Sequence, residues 1–443
     1  MRILIITESF KYGGLETQLL DYCRQLVSYG HEIYIISGNG SRMNKLKDII
    51  GENILEVEMS PTQSLKALLS NINRISSYIS ENKPDLIHMH PFMSIVLGGI
   101  AAAIENKAFV VTIHSPLSIT YGYNPVYRLL CKAILRDAWR VFCVSKECEE
   151  RLMAFAPETR SIILPNGVDI NRFKPAIVDF NGPIALIGRL DKDKLTGIKI
   201  FLELWSKLPS SYRKTIHIYG EGNAKFELET WIKSFDMKPF VKFMGHEDYL
   251  ETKLSSGYSL IAGMGRVVIE AGSMNLPVLL VGYDGPKCLV SIENYEKLSL
   301  RNFSGRYVEP IGIDTICNQL DELKKSPQKY MLRNLVKTNH DHVKIVQKYI
   351  DNVKDSVPGP YKWKEVFLSS IAESVEGTLF SDSILHTLLY NIEMETWAKD
   401  SIIYYCINRL IDVTKERDEI KSGNFWKLAS MYYRIRDILF RRK

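Results

Sequence analysis

Residues Ile261–Gly285 read IAGMGRVVIEAGSMNLPVLLVGYDG. An apolar run stops at Gly-Met-Gly, a stretch of helical period follows, and Pro277 opens a second apolar run that stops at Gly-Tyr-Asp-Gly. Neither apolar run alternates with polar residues, so both read as strands covered on two faces, and the unit is strand, turn, helix, strand of a parallel sheet. Gly263 and Gly265 let the backbone approach a ligand closely, and the helix that starts near Gly265 turns its free N–H groups to the carboxyl edge of the sheet, where an anion can sit. Arg266 stands at the helix start. Glu270, about one and a half turns in, can accept bonds from hydroxyls of the ribose type or serve as an ordinary helix-dipole acid.

The same scheme runs through the chain in both directions. Before this stretch, GPIALIGRL (Gly182–Leu190), TIHIYG, FVKFMG and YSLIAG are apolar runs ending in or beside glycine. Earlier still, RILII (Arg2–Ile6), EIYIIS, ILEVEM, DLIHMH, FVVTIH, RVFCVS and SIILPN recur at helix-plus-strand intervals. The polar, proline-bearing RFKPAIVDFNGP separates the two series. The chain therefore predicts an α/β protein with two Rossmann-like domains of parallel sheet facing a cleft, over residues 1–175 and 176–355, and a helical extension over 356–443. Neither domain has the GxGxxG fingerprint; TESFKYGGLE after the first strand argues against a dinucleotide cofactor.

Composition bounds the rest. The 443 residues are 46% apolar and 24% charged, ordinary for a globular protein. The start MRILIITESF has neither a basic segment nor a long apolar stretch, so no leader is expected. Seven scattered cysteines read as reduced thiols of a cytosolic protein. The net charge of +6 lies entirely in Lys421–Lys443, seven Lys or Arg against one Asp. The body is balanced, which excludes a basic nucleic-acid-binding domain. The final NFWKLASMYYRIRDILFRRK sets Phe425, Leu428, Ala429, Tyr432, Ile435 and Leu439 at helical spacing among basic residues. Such a helix either packs on the body or lies on an anionic membrane surface, the latter reading being the one adopted.

Arg189 and Lys194, in IGRLDKDKLTG, are two cations at a strand's carboxyl end, able to clamp a diphosphate, the first as a fork and the second as a point charge. The intervening DKD (Asp191–Asp193) alternates acids with lysines and is not expected to hold a metal. The pairs His88/His90 and His340/His342 lack companion ligands, so no metal site is assigned. His90 ends a strand at the cleft edge, a position that admits an acceptor-side role.

Taken in order, YGGLETQLL, TIHSP, CVSKECEERL, ILPNGVDINRFKP, IGRLDKDK, IYGEGN, FMGHED and GMGRVVIEAGSMNLPVLLVGYDG resemble the retaining, nucleotide-sugar-dependent glycosyltransferases of family 4, across roughly residues 1–345. The resemblance implies the GT-B fold and transfer of a sugar from a UDP- or GDP-type donor, with retention and without a bound metal or other cofactor. The acceptor it implies is a glycan or a lipid-linked glycan of the cell envelope, at or near the inner face of the membrane. It makes His114, Arg189 and Lys194 the catalytic residues. Gly13, Gly14, Arg189, Lys194, Gly263, Gly265, Arg266 and Glu270 become donor-binding, with His114 near the transferred sugar and Glu270 at the ribose. Asn166 and Asp169 match a structural turn. The departure is Ala262, where the family carries the first acid of its glutamate pair. It leaves a non-catalytic nucleotide-binding scaffold of a glycan-assembly complex as the alternative, and a sugar-nucleotide epimerase as a third reading.

Overall fold

The computed structural model describes residues 1–361, 363 and 364, except 12, 61–64, 120–124, 236 and 238. The expected basic amphipathic helix and almost all of the expected helical extension lie outside the described residues. No described helix is long and apolar enough to cross a membrane.

Seven strands form the first sheet: β1 (Arg2–Thr7), β2 (Glu32–Ser37), β3 (Ile54–Glu56), β4 (Leu86–Met89), β5 (Phe109–Ile113), β6 (Arg140–Cys143) and β7 (Ser161–Ile163). Their order is β3-β2-β1-β4-β5-β6-β7, all parallel. β1 and β2 are buried at every position but the first, as a sheet covered by helices on both faces requires.

The remaining strands are β8 (Ile177–Val178), β9 (Ile184–Ile187), β10 (Ile216–Tyr219), β11 (Val241–Gly245), β12 (Ser256–Tyr258), β13 (Leu260–Gly263), β14 (Val278–Gly282) and β15 (Gly285–Leu289). Six of them build a second sheet in the order β11-β10-β9-β13-β14-β15, and β8 pairs with β12 beside it. β15 runs antiparallel to β14 through a two-residue turn, Gly282 facing Gly285. Gly-Tyr-Asp-Gly is thus a hairpin, held by the buried Lys287, whose Nζ is 2.6 Å from both Asp284 Oδ1 and the Val308 carbonyl. Each sheet reverses its strand order once, between β1 and β4 and between β9 and β13. At such switch points the loops diverge and leave a crevice at the carboxyl edge.

The helix Arg266–Ser273 follows β13 as expected, with Gly265 as its N-cap at φ 63°, a backbone that costs a residue with a Cβ about 1–3 kcal/mol. One helix departs from the expected division. His342–Val353, placed by sequence with the second domain, buries Ile345, Val346, Tyr349 and Val353 in the core of the first, among Ile3, Ile5, Leu19, Tyr22 and Phe142. The chain therefore crosses between the domains twice, and the two crossings are bonded to each other. Val168 and Asp341 form a parallel bridge, and His340 Nδ1 is 2.8 Å from the Asn166 carbonyl. Asp169 Oδ1 accepts from the Asn171 and Arg172 amides at 2.9 and 3.1 Å, which makes the Asn166–Asp169 segment a built turn.

Candidate functional site

The loops after β1, β5, β9 and β13 converge on a cavity of about 240 Å³. Gly14, His114, Arg189, Lys194, Gly263, Gly265 and Arg266 all line it, together with Tyr283, Ser304 and Arg306. A second cavity of about 160 Å³ shares Gly14, Arg189 and Arg266 with the first and adds Gly13, Arg172, Tyr219, Glu221, Glu251 and Glu270. All nine residues singled out by sequence thus fall on two adjoining cavities, although His114 and Glu270 are in different ones.

The two cavities differ in charge. Among the described residues, the first is lined by four cations, Arg189, Lys194, Arg266 and Arg306, and by no carboxylate. The second mixes cations with Glu221, Glu247, Asp248, Glu251 and Glu270. An anion suits the former; a neutral group rich in hydroxyls suits the latter.

Three of the four cations already have partners. Arg189, half exposed, lies 3.2 Å from Asp191. Arg306 forks onto Glu147, at 2.8 Å through Nε and 2.6 Å through Nη2. Arg266 donates from Nε to Glu270 at 2.7 Å, from Nη1 to the Gly167 carbonyl at 2.8 Å and from Nη2 to Asp21 at 2.8 Å. Lys194 has no ion pair within 4 Å among the described residues. Burial, and then the Arg189 cation, hold its amine below the usual lysine range. Asp193 and Asp191 offset only part of that, and a desolvated ammonium outside any close ion pair gains from a nearby anion.

Glu270 is less simple than the sequence suggested. Burial pushes its carboxyl up, and the Arg266 charge offsets only part of that. Arg266 takes Oε1, while no protein donor among the described residues reaches Oε2, which can accept a hydroxyl. Ala262 is fully buried in an apolar cluster with Leu186 and Val281, both of which line the first cavity. Where the family has an acid, this site has an apolar wall.

His114 lines the first cavity. Its Nε2 lies 2.8 Å from His90 Nδ1, and His88 packs behind, its ring centroid 4.3 Å from that of His90. His90, expected at the cleft edge, is instead buried and reaches the cavity only through His114. Burial holds all three rings down, His88 to about 3 and His114 to about 4. The sign of the consequence follows. The folded chain keeps these rings neutral, whereas the unfolded chain takes up protons from about 6.5. Stability is complete above that pH and falls as pH drops toward 4, each ring steepening the loss by up to about 1.4 kcal/mol per pH unit. Urea midpoints at pH 7, 6 and 5 should decline markedly less in His88→Asn than in the parent; parallel declines would contradict neutral burial.

Sequence reading missed the partners across the cleft. Asp21, on the helix Gly14–Ser28 of the first domain, binds Arg266 and also Arg172, the latter at 3.0 Å. Glu147, on the helix Lys146–Phe155, binds Arg306 and, at 3.7 Å, Arg301. Asn166 Nδ2 donates to Asn302 Oδ1 at 3.0 Å, and Lys45 pairs with Asp248 at 2.7 Å. Asp21 left one trace in the sequence: it is a carboxylate within the apolar face Leu19, Leu20, Tyr22, Cys23 and Leu26.

Residues 12–172 match the family model described as Glycosyltransferase Family 4. The chain is 24% identical over 343 residues, 68% of its own length, to the UDP-Gal:alpha-D-GlcNAc-diphosphoundecaprenol alpha-1,3-galactosyltransferase of Escherichia coli, of which it covers 81%. Among solved structures it resembles Anabaena Alr3699/HepE in complex with UDP-glucose, with TM-score 0.62, 19% identity, and coverage of 80% of this chain and 99% of that one. It also resembles the UDP-GlcNAc 2-epimerase of Neisseria meningitidis bound to UDP-GlcNAc, with TM-score 0.53, 17% identity, and coverage of 80% and 100%.

Proposed function

We propose that the chain, which has the GT-B fold and matches the glycosyltransferase family 4 model over residues 12–172, is a glycosyltransferase that transfers a sugar from a UDP-sugar to a lipid-linked glycan, with retention and without a bound metal. The observation that carries the reading is the cation-lined, carboxylate-free cavity at the meeting of the two switch points. A diphosphate fits there, with Lys194 and Arg189 on its oxygens and the amides at the start of Arg266–Ser273 beneath it. The nucleoside then extends into the second cavity, where Glu270 Oε2 accepts from the ribose. The choice of UDP and of a lipid diphosphate acceptor is supported by the chemistry named for the Escherichia coli relative.

In this reading the bond between the anomeric carbon and the β-phosphate oxygen breaks first. Arg189 and Lys194 stabilise the charge gathering on that oxygen, the role a metal ion has elsewhere. The acceptor hydroxyl attacks from the face the phosphate is leaving, which retains configuration, and its proton passes to the departing phosphate oxygen. Among the described residues no carboxylate lines this cavity to form a covalent sugar intermediate, so a single-face displacement suits the residues present. The same lack weighs against epimerisation, which needs an acid and a base at the sugar ring. We place the reaction at the inner face of the cell membrane, in envelope polysaccharide assembly.

The test is a thermal-shift screen of UDP, GDP and ADP, then transfer assays with UDP-sugars on undecaprenyl-diphosphate-linked sugars. UDP at 100 times its dissociation constant should stabilise by about 2.7 kcal/mol, and transfer should need no added divalent cation. Nucleotide binding without donor turnover on any such acceptor would leave the scaffold reading standing.

A further inference from the structure

The first domain buries a row of rings that ends at the cleft. Tyr349 stacks on His88, with centroids 5.0 Å apart and planes at 18°. His88 lies against His90, and His90 against His114, with centroids 5.1 Å apart. His90 is 3% exposed and is fixed through its backbone. Its amide donates to the Ile6 carbonyl at 2.9 Å, and its own carbonyl accepts from the Ser94 hydroxyl.

A neutral imidazole carries one proton on two nitrogens, and the hydrogen bond made by one decides the state of the other. His90 Nε2 is buried with no partner among the described residues, while His90 Nδ1 faces His114 Nε2 at 2.8 Å. A proton on Nε2 would bury an N–H with no acceptor, whereas a proton on Nδ1 leaves only a lone pair unfilled. Native interiors avoid orphaned N–H groups more strictly than unfilled acceptors. The proton therefore sits on His90 Nδ1, and His114 Nε2 accepts it. His88 follows the same logic, with an unpartnered Nδ1 and with Nε2 2.7 Å from the Thr112 hydroxyl.

We infer that His90 is a positioning residue, which holds His114 in the tautomer that turns an Nδ1–H donor toward the cleft. His114 Nδ1 has no partner among the described residues, and His114 lines the cation-rich cavity. The donor is a neutral one, suited to a hydroxyl of the transferred sugar or to a phosphate oxygen, and it keeps that polarity through the pH range of the reaction. The proposal rests on the placement of His114 at the transferred sugar.

Imidazole ¹⁵N spectra of the full chain, with the His114 signals assigned by their loss in His114→Ala, read the tautomer directly. At neutral pH the parent should show His114 protonated at Nδ1 and bare at Nε2. His90→Leu should release that preference and lower kcat roughly tenfold, with the donor KM changed by less than about threefold. His90→Asn, whose side-chain amide stands where Nδ1–H does, should recover both the spectrum and most of the rate. An Nε2-protonated His114 in the parent, or a His90→Asn no better than His90→Leu, overturns the relay. If His114→Ala itself transfers sugar at the parental rate, the placement of His114 fails and takes the proposal with it, whatever the spectra show.

Discussion

Lys194→Ala should lower kcat/KM for sugar transfer by about 10²–10³, the loss seen when one preorganised stabiliser of developing charge is removed. It should do so without lowering the unfolding midpoint. Most activity-destroying substitutions near a core also destabilise, so the separation is informative. The Lys194 ammonium is partly buried and repelled by Arg189, and Asp193 and Asp191 offset this only in part, so the folded chain should lose little by its removal. A diphosphate bound beside it would make its charge favourable. The stabilisation by UDP should accordingly shrink in the variant while the unliganded midpoint stays level or rises. Parental transfer rates in Lys194→Ala would sink the assignment of the diphosphate site.

Asp21→Ala should show the opposite balance, a loss of about 3–5 kcal/mol of stability, because removing one partner of a buried ion pair strands the others. Asp21 holds Arg266 at 2.8 Å and Arg172 at 3.0 Å, with the Asp21 and Arg266 side chains less than a tenth exposed. Arg266 would be left with Glu270 alone, and Arg172 with Glu251 at 3.8 Å. Donor KM should rise as well, since Arg266 also orients Glu270. Pairing the change with Arg266→Met should cost less than the sum of the single losses, because the stranded charge goes with its partner. Urea denaturation of the four proteins reads this directly; strict additivity would mean that the bridge contributes nothing.

The contrast between these two residues shows what the sequence made legible. Lys194, Arg189, Gly265 and Glu270 sit at strand ends beside glycine, where local spacing alone marks a turn at the carboxyl edge of a sheet. Asp21 and Glu147 act on partners 245 and 159 residues away, and no local period encodes such a distance. Strand periodicity likewise identified the parallel runs of both sheets but not β15, because GPKCL is short and broken by a proline and a lysine. The helix His342–Val353 has an ordinary amphipathic face, and nothing in its spacing says which core that face will enter. Ala262 carried real information: its position lies in an apolar cluster with Leu186 and Val281, so no carboxylate stands there.

The paired crossings between the domains set what kind of motion the cleft can make. A single linker would let the two halves swing, slide and twist like beads on a string. Two strands of chain lying side by side, tied at Val168 and Asp341 and at Asn166 and His340, act instead like the pin and barrel of a door. One rotation stays soft, about the line joining the crossings, while sliding and separation pull on covalent chain. A rotation about that line separates Asp21 from Arg266, Glu147 from Arg306 and Asp248 from Lys45 together, so opening should be cooperative, with few half-open stops along the way.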